Sequence, residues 1–251
     1  MNISVFRIIA LAATILSASV GAHGQGDKSK PAPPGGNGTT PTAAITATTA
    51  PIDMARAALA AHGGEKFRSL QNMVLRGSVD LYAPNSTQSI PGAFVIATAG
   101  DKIRIEVDAR PAISFKQIFD GQQSYSSLPN VELPPFGLNV LRKFDQPGYT
   151  VSAIPDKKKN RGFRIADANG NSIDFYIETA TGRVMNFLIP YNGQIFGTEH
   201  KKFKEVEGVL VPSNFSMRME MPQGAFFADF NVKDIKLNQT LGDDVFAIPG
   251  G

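Results

Sequence analysis

The 251-residue sequence contains no cysteine and no tryptophan, and it has only three histidines. The absence of cysteine excludes disulfide bonds, thiolate metal sites and a cysteine nucleophile. It also excludes the lipid attachment that bacterial lipoproteins carry on an N-terminal cysteine. The sequence also lacks a strong excess of either positive or negative residues, since 25 basic and 22 acidic residues give a formal charge of +3. That balance does not indicate a nucleic-acid-binding protein.

Sequence motifs for catalysis are also missing. The chain has no Gly-x-Ser-x-Gly elbow, no phosphate-binding loop and no dinucleotide fingerprint. His23, His62 and His200 are not at metal-ligand spacing and no carboxylate pattern flanks them, so we predict that they are solvated surface histidines. We therefore expect no cofactor and no metal. An enzyme is the least favoured class, because no proton-transfer constellation is visible.

The N-terminus has the pattern of a secretory signal. Arg7 precedes an apolar stretch over residues 8–16, which is shorter than the ~20 residues that cross a bilayer. The small residues Val20, Gly21 and Ala22 follow, where a signal peptidase would cut. We predict a signal peptide over residues 1–22 and hence a periplasmic protein. A retained anchor helix is the alternative.

Residues 23–51 are rich in Gly, Pro, Thr and Ala and contain few large apolar side chains. Such a segment cannot offset the entropy of ordering, so it predicts a disordered leader, either a spacer or a tail without a specific task. The remaining residues 52–251 are predicted to form a single domain. The chain is 42% hydrophobic and holds 24 Gly, 17 Pro and 17 Phe, a composition that favours a turn-rich β-protein.

A short helix is predicted to precede a series of strands. Asp53 is placed to cap a helix that runs to Ala61, and Gly63-Gly64 are placed to end it. The hydrophobic period then becomes twofold, most clearly over residues 102–108, where odd positions are aliphatic and even positions are charged. Further strands are predicted over residues 72–81, 113–119, 122–126, 161–166, 172–178, 183–189, 194–205, 209–221 and 225–237.

The turns between these strands predict a mainly antiparallel meander. Asp120-Gly121, Asn169-Gly170 and Asn192-Gly193 each supply the positive backbone torsions of a tight hairpin. Residues 167–171 faintly resemble the start of a calcium loop, but the later bidentate acid is missing, so we predict a hairpin turn there. The basic cluster at residues 157–161 is predicted to be a solvated loop, with contact to anionic headgroups as the alternative.

One segment interrupts the meander. Residues 134–144 carry Leu138, Leu141 and Phe144 at helical spacing, which predicts a short helix that lies across the sheet. An antiparallel sheet of this length must close, split or curl around something, and we expect it to curl. Its drier face is larger than one short helix covers. Either a second helix covers the remainder or the concave face holds a cavity.

The drier face is the candidate binding surface. Its methionine stripe suits a surface that accepts varied apolar shapes, because methionine is flexible and polarizable; packing under a helix is the alternative. We predict an apolar ligand-binding surface made of Ile103, Ile105, Phe175, Ile177, Met217, Met219, Met221, Phe226 and Phe230.

Several short segments follow one another in a fairly specific order. They are Ala60-Ala61-His62-Gly63-Gly64, Arg76-Gly77, Gly100-Asp101-Lys102-Ile103-Arg104-Ile105-Glu106, Ile118-Phe119-Asp120-Gly121-Gln122-Gln123-Ser124-Tyr125, Phe175-Tyr176-Ile177-Glu178-Thr179-Ala180-Thr181-Gly182, Val206-Glu207-Gly208-Val209-Leu210-Val211-Pro212, Leu237-Asn238 and Val245-Phe246-Ala247-Ile248-Pro249. In this order the chain resembles the LolA/LolB-like superfamily of exported carriers over nearly all of residues 53–249. Tyr125 stands where relatives often have a tryptophan, and no cysteine is present to anchor the chain through a lipid.

The resemblance implies a mainly β, α+β fold: a strongly curved, incomplete antiparallel β-barrel with helices over its open side. It further implies an apolar cavity that takes acyl chains. The implied function is a non-enzymatic periplasmic carrier or binding protein for lipids or lipid-modified proteins, with a membrane or envelope protein as a further partner. The alternative is an envelope protein-interaction, sensor or assembly module with the same fold and no open lipid cavity.

Overall fold

A computed structural model of the chain describes residues 44–129, 131–221 and 224–250. The predicted signal peptide and residues 23–43 of the predicted leader lie outside the described residues. Residues 44–50, also predicted to belong to the leader, contact the domain. Ile45 is buried in the core, and the Thr46 carbonyl accepts a hydrogen bond from Arg161.

Two helices precede the sheet. Helix α1 spans Pro51–Ala61 and α2 spans Glu65–Arg68. The predicted Asp53 cap is wrong: α1 begins two residues earlier at Pro51, whose fixed φ suits the first helical turn, and Asp53 lies in that turn. The predicted glycine stop is confirmed. Gly63 has a φ of +117°, and a Cβ there would lie 2.7 Å from the Gly208 carbonyl oxygen, so only glycine fits.

The described residues form one 12-stranded antiparallel sheet in the order β5-β4-β3-β2-β1-β12-β11-β10-β9-β8-β7-β6. Strands that follow one another in the chain pair with each other, except β5 and β6, and the one pairing between non-consecutive strands joins β1 to β12. The strands are β1 Asn72–Tyr82, β2 Ser89–Ala99, β3 Lys102–Ala109, β4 Ile113–Phe119, β5 Ser124–Ser126, β6 Tyr149–Ala153, β7 Asn160–Asp167, β8 Ser172–Glu178, β9 Val184–Tyr191, β10 Gln194–Val206, β11 Val209–Met221 and β12 Gly224–Leu237.

The sheet is curved but does not close, which confirms the predicted incomplete antiparallel barrel. Its two edge strands, β5 and β6, follow each other in the chain. The connection between them therefore joins the two edges, and we call its residues 131–148 the strap. Residues from β4 and from β6–β9 line one common cavity beneath the strap, as expected of a strongly curved sheet.

The helix predicted over residues 134–144 is a five-residue 3-10 turn, Leu138–Arg142, within the strap. Pro134, Pro135 and Gly137 precede it and delay helix formation. Leu141 and Phe144 are nonetheless buried, so the predicted apolar spacing does identify the inward side of this segment.

The main core lies on the concave face of the sheet, where α1 packs against β6, β7 and the 3-10 turn of the strap. A smaller apolar cluster of Val74, Ala97, Ile118 and Phe246 lies on the convex face. A second 3-10 turn, Asp243–Phe246, covers it, held by a hydrogen bond of 2.8 Å from Arg104 Nη1 to the Val245 carbonyl. Across the described ranges, we find no helix long and apolar enough to cross a membrane.

Candidate functional site

Strand register brings the predicted binding residues to the concave face. Phe230 of β12 faces both Val79 of β1 and Phe215 of β11. Further along the sheet, Met217 faces Thr198, which faces Phe187, which faces Phe175. Residues directly opposite each other share a face, and alternate residues of one strand do too. The predicted surface therefore lies on one continuous face of the sheet.

Four of the nine predicted residues are buried by the protein's own side chains. Phe175 and Ile177 are 0% exposed, and Ile105 and Phe230 are nearly so. Phe175 stacks on Phe163 at 5.4 Å between ring centroids. In the state described, these four side chains belong to the packed core, and a role in ligand binding stays a prediction.

The other predicted residues are less enclosed. Ile103, Met217 and Met219 are partly buried and pack against the edge of the core, and Phe226 is also partly buried. Met221 is the last residue of β11, but its side chain lies outside the described part of the structure. Met217 and Met219 therefore lie at the margin of the core.

A cavity of about 430 Å³ lies between the strap and the concave face. None of the nine predicted residues lines it, although Ile173 is two residues from Phe175 on the same strand and Phe119 faces Ile103 across β3 and β4. Its floor is apolar and aromatic and its rim is polar. The lining side chains are Asp101, Phe119, Pro135, Phe136, Asn139, Val140, Lys143, Tyr149, Ile165, Asp167, Asn169, Asn171, Ile173 and Tyr191, with Gly121.

Polar side chains fix the first half of the strap. Gln117 is fully buried on the inward side of β4; its Nε2 donates to the Leu133 carbonyl and its Oε1 accepts from the Leu133 amide, both at 2.6 Å. The Tyr191 hydroxyl donates to Glu132 Oε1 at 3.0 Å. Burial and the neighbouring Glu132 carboxylate raise the pKa of Tyr191 to about 12, so the hydroxyl keeps its proton. A glutamine among apolar inward positions of β4 was the available sequence signal for this anchor.

Charged side chains fix the second half. Arg142 donates from Nε and Nη2 to the Arg68 carbonyl at 3.1 and 2.8 Å, and from Nη2 to the Leu70 carbonyl at 2.5 Å. Arg68 in turn makes a bidentate pair with Asp145, at 2.7 and 3.0 Å. The guanidinium of Arg68 lowers the pKa of Asp145, and burial lowers the pKa of Arg142.

A second, smaller pocket of about 130 Å³ adjoins the cavity. It shares Asp101, Asn139 and Lys143 with the larger cavity, and Asp101 and Lys143 form an ion pair. These three side chains are therefore the wall between the two spaces. The remaining lining residues are Arg68, Gly100, Arg142 and Gln146.

The prediction of surface histidines is wrong for His62 and His200, which are 0% and 4% exposed. His62 Nδ1 contacts the Leu210 carbonyl at 2.9 Å, and the Val184 amide donates to its Nε2 at 3.2 Å. His200 Nδ1 contacts the Val184 carbonyl at 2.8 Å. A carbonyl only accepts, so each Nδ1 carries a proton. Burial lowers the pKa of both histidines to about 4 and keeps them neutral.

The error at His200 has a structural cause. Register shifts between His200 and Phe203 interrupt the alternation of β10, so the charged neighbours Lys201 and Lys202 both face solvent while His200 faces the core. His62 packs between Phe67 and Phe203, with ring centroids 6.0 and 5.8 Å away. His23 lies outside the described residues.

Two further charged segments are the predicted hairpin turn at residues 167–171 and the basic cluster at residues 157–161. Among the residues the structure describes, no group of three or more histidine, aspartate or glutamate side chains is arranged to hold a metal ion. Residues 167–171 form the predicted β7–β8 hairpin turn, in which Asp167 Oδ1 accepts from the Asn169 and Asn171 amides. In the basic hairpin, Lys157 Nζ lies 5.5 Å from the ring centroid of Tyr176.

Comparisons with known proteins support the fold. No family model matches the sequence, and no curated protein matches it. Among solved structures, a LolA-superfamily protein from Nitrosomonas europaea aligns with a TM-score of 0.52 and 11% identity, over 80% of this chain and 99% of that one. A DUF1329 family protein from Desulfovibrio piger aligns with a TM-score of 0.50 and 9% identity, over 79% and 98% of the two chains.

A third solved structure is that of a putative outer membrane lipoprotein-sorting protein domain from Vibrio parahaemolyticus. It aligns with a TM-score of 0.47 and 10% identity, over 76% of this chain and 97% of that one. At such identities, similarity extends to the fold and not to the ligand. The curved 12-stranded sheet and the alignment with the Nitrosomonas protein together show that this chain has a LolA-like fold.

Proposed function

We propose that the protein is a non-enzymatic periplasmic carrier or binding protein for lipids or lipid-modified proteins. The observation that carries this proposal is the cavity of about 430 Å³ between the strap and the concave face. Its volume falls within the roughly 300–1,000 Å³ range of small-molecule sites. Phe119, Ile165 and Ile173 give it an apolar floor, while Asp101 and Lys143 lie at its polar rim. This division suits an amphiphile.

The LolA-like fold supports the same proposal. In this structure, α1 packs against β6, β7 and the 3-10 turn of the strap, and the cavity lies beneath the strap. A cover of the open side of the sheet by these segments is part of the proposal. The predicted signal peptide over residues 1–22 supports a periplasmic location, where acyl chains must be shielded from water during transfer.

The energetics favour a partly open site. Burial of a ~16-carbon acyl chain releases on the order of 12 kcal/mol at ~0.8 kcal/mol per methylene, before the costs of association. Complete enclosure would make such a ligand slow to leave. A carrier that must release its ligand therefore benefits from a cavity with a polar, accessible rim and a cover held by a few separable contacts.

Filling the cavity tests the proposal. Val140 lies in the 3-10 turn and lines the cavity, so Val140→Trp should occupy the space and reduce uptake of added 16-carbon lipid about tenfold or more, measured by native mass spectrometry. Ile195→Trp is the matched control, because Ile195 is 49% exposed on the convex face. Met219→Trp tests the methionine stripe separately. Wild-type protein that never carries co-purified or added lipid would contradict the proposal.

The second candidate is an envelope protein-interaction, sensor or assembly module. Two large apolar side chains on the convex face favour it: Ile195 is 49% and Phe227 is 43% exposed. In this case Phe227→Ser should abolish cross-linking to an envelope partner in cells, while Val140→Trp should leave the cross-link intact. The opposite pattern would favour the lipid carrier.

A further inference from the structure

The smaller pocket contains a charged group whose hydrogen-bonding capacity is only partly used. An arginine guanidinium has five N–H donors. In Arg142 the Nε and Nη2 donors bond to the carbonyls of Arg68 and Leu70. Nη1 makes no hydrogen bond to the described residues and is not a buried atom. Two N–H donors of this guanidinium therefore have no partner among the described residues, and Arg142 lines the smaller pocket.

The nearby cations differ from Arg142 in having carboxylate partners. Arg68 pairs with Asp145 and contacts Glu65 Oε1 at 3.2 Å, and Lys143 pairs with Asp101. Within the described ranges, Arg142 forms no ion pair within 4.0 Å, although it is partly buried. A desolvated guanidinium is best stabilised by a bound anion, and arginine binds carboxylate and phosphate groups through parallel N–H donors.

The position of this pocket links the anion to the apolar cavity. The wall of Asp101, Asn139 and Lys143 is common to both spaces, so a ligand that occupies both would extend past these three side chains. Its apolar part would lie on the floor of the larger cavity, and its head would lie in the smaller pocket. The relative sizes, about 430 and 130 Å³, fit a long apolar chain with a compact head.

We propose that the ligand is an acyl chain with an anionic head, and that Nη1 of Arg142 binds that head in the smaller pocket. This inference rests on the proposed lipid-binding function and specifies its substrate class. Lys143 assists as the second cation, and Asp101 opposes it by holding Lys143 in an ion pair. Removal of the Asp101 charge should therefore increase the preference for an anionic head.

The test uses two probes that differ only in the head: 1-palmitoylglycerol, which is neutral, and 1-palmitoylglycerol 3-phosphate. Calorimetric titration below the aggregation concentration of each should give about tenfold tighter binding of the phosphate form, as expected for charge-assisted hydrogen bonds. In Arg142→Gln this preference should disappear. It should persist in the control Arg76→Gln, since Arg76 lies on the convex face and is 53% exposed.

A second variant protects the test against misfolding. Arg142→Gln also loses bonds to two carbonyls and can fail to fold, whereas Asp101 is 60% exposed. Asp101→Asn should raise the preference for the phosphate form several-fold, and the matched Asp108→Asn should not. An unchanged preference in Asp101→Asn would overturn the inference.

The remaining outcomes separate this inference from the proposed function. Equal binding of both probes to the wild-type protein would overturn the anionic head and leave lipid binding intact. Binding of neither probe would overturn both. Inorganic phosphate that binds as tightly as 1-palmitoylglycerol 3-phosphate would mean an anion site without an acyl chain, and would also overturn the inference.

Discussion

Two regions of the concave face are held in place by different forces. Under α1, Phe163 and Phe175 are fully buried and stacked, so this region is closed by apolar packing. The second region lies beneath the strap. The strap is held by separate polar contacts, chiefly those of Gln117, Tyr191 and Arg142. The first region is filled by the protein itself, and the second retains a cavity.

The difference explains where a ligand site can exist in this fold. Apolar packing is cooperative and leaves little empty volume for a ligand. A single hydrogen bond makes a net contribution of only about 1 kcal/mol to stability, and it can break while its neighbours remain. Regions with few apolar contacts also open most easily. We therefore expect the packed region to set global stability and the strap to open locally.

The largest expected effect is acid destabilisation of the packed region. Burial lowers the folded-state pKa of His62 and His200 from 6.5 to about 4. Between these values the unfolded chain binds more protons, so the stability contributed by the neutral histidines is present above pH 6.5 and is lost as the pH falls towards 4. At ~1.4 kcal/mol per pKa unit, the loss is about 3 kcal/mol for each histidine.

Urea unfolding at pH 7, 5.5 and 4.5 would measure this loss. His200→Gln removes one titrating group and should make the dependence on pH about half as steep, although the variant is less stable at pH 7. Lys157, which lies at the convex face over Tyr176, offers a control in Lys157→Gln. If His200→Gln shows the same pH slope as the wild-type protein, the neutral histidines do not control acid stability.

The second prediction compares a Phe→Ala substitution in the packed region with one in the strap. Phe175→Ala should cost about 3–5 kcal/mol, because it leaves a cavity in a fully packed site. Phe136→Ala should cost much less, since Phe136 is only partly buried and already borders the cavity beneath the strap. The free energies of unfolding in urea give both values. Equal losses would mean that the strap is as much a part of the core as β8.

The strands were predictable because their signal is local. Alternation predicted β8 with the observed bounds Ser172–Glu178. Strand β2 was not predicted, because Pro91-Gly92 and the adjacent apolar pair Val95-Ile96 obscure its alternation. Strand β6 was not predicted either, because it has only five residues.

The cavity was not predictable, because the contacts that form it join distant parts of the chain. Arg142 contacts a carbonyl 74 residues away, and Tyr191 contacts a carboxylate 59 residues away. Periodicity cannot report such pairs. Periodicity correctly indicated an apolar concave face. It could not separate positions open to a ligand from positions such as Phe175, which the protein's own side chains bury. The accessible part depends on where the strap crosses, which only the fold determines.

The smallest expected effect isolates the strap. Gln117→Leu removes both hydrogen bonds to Leu133 and leaves the backbone N–H and C=O of that residue without these partners, at a cost of about 1–3 kcal/mol. Because β4 remains paired with β3 and β5, the loss should appear as local opening of the strap. Amide hydrogen exchange should therefore accelerate about tenfold or more over residues 131–148 and stay unchanged in β7 and β8. Gln122→Leu, at an exposed turn position, should change neither, and uniform acceleration across the sheet would show that the strap does not open independently.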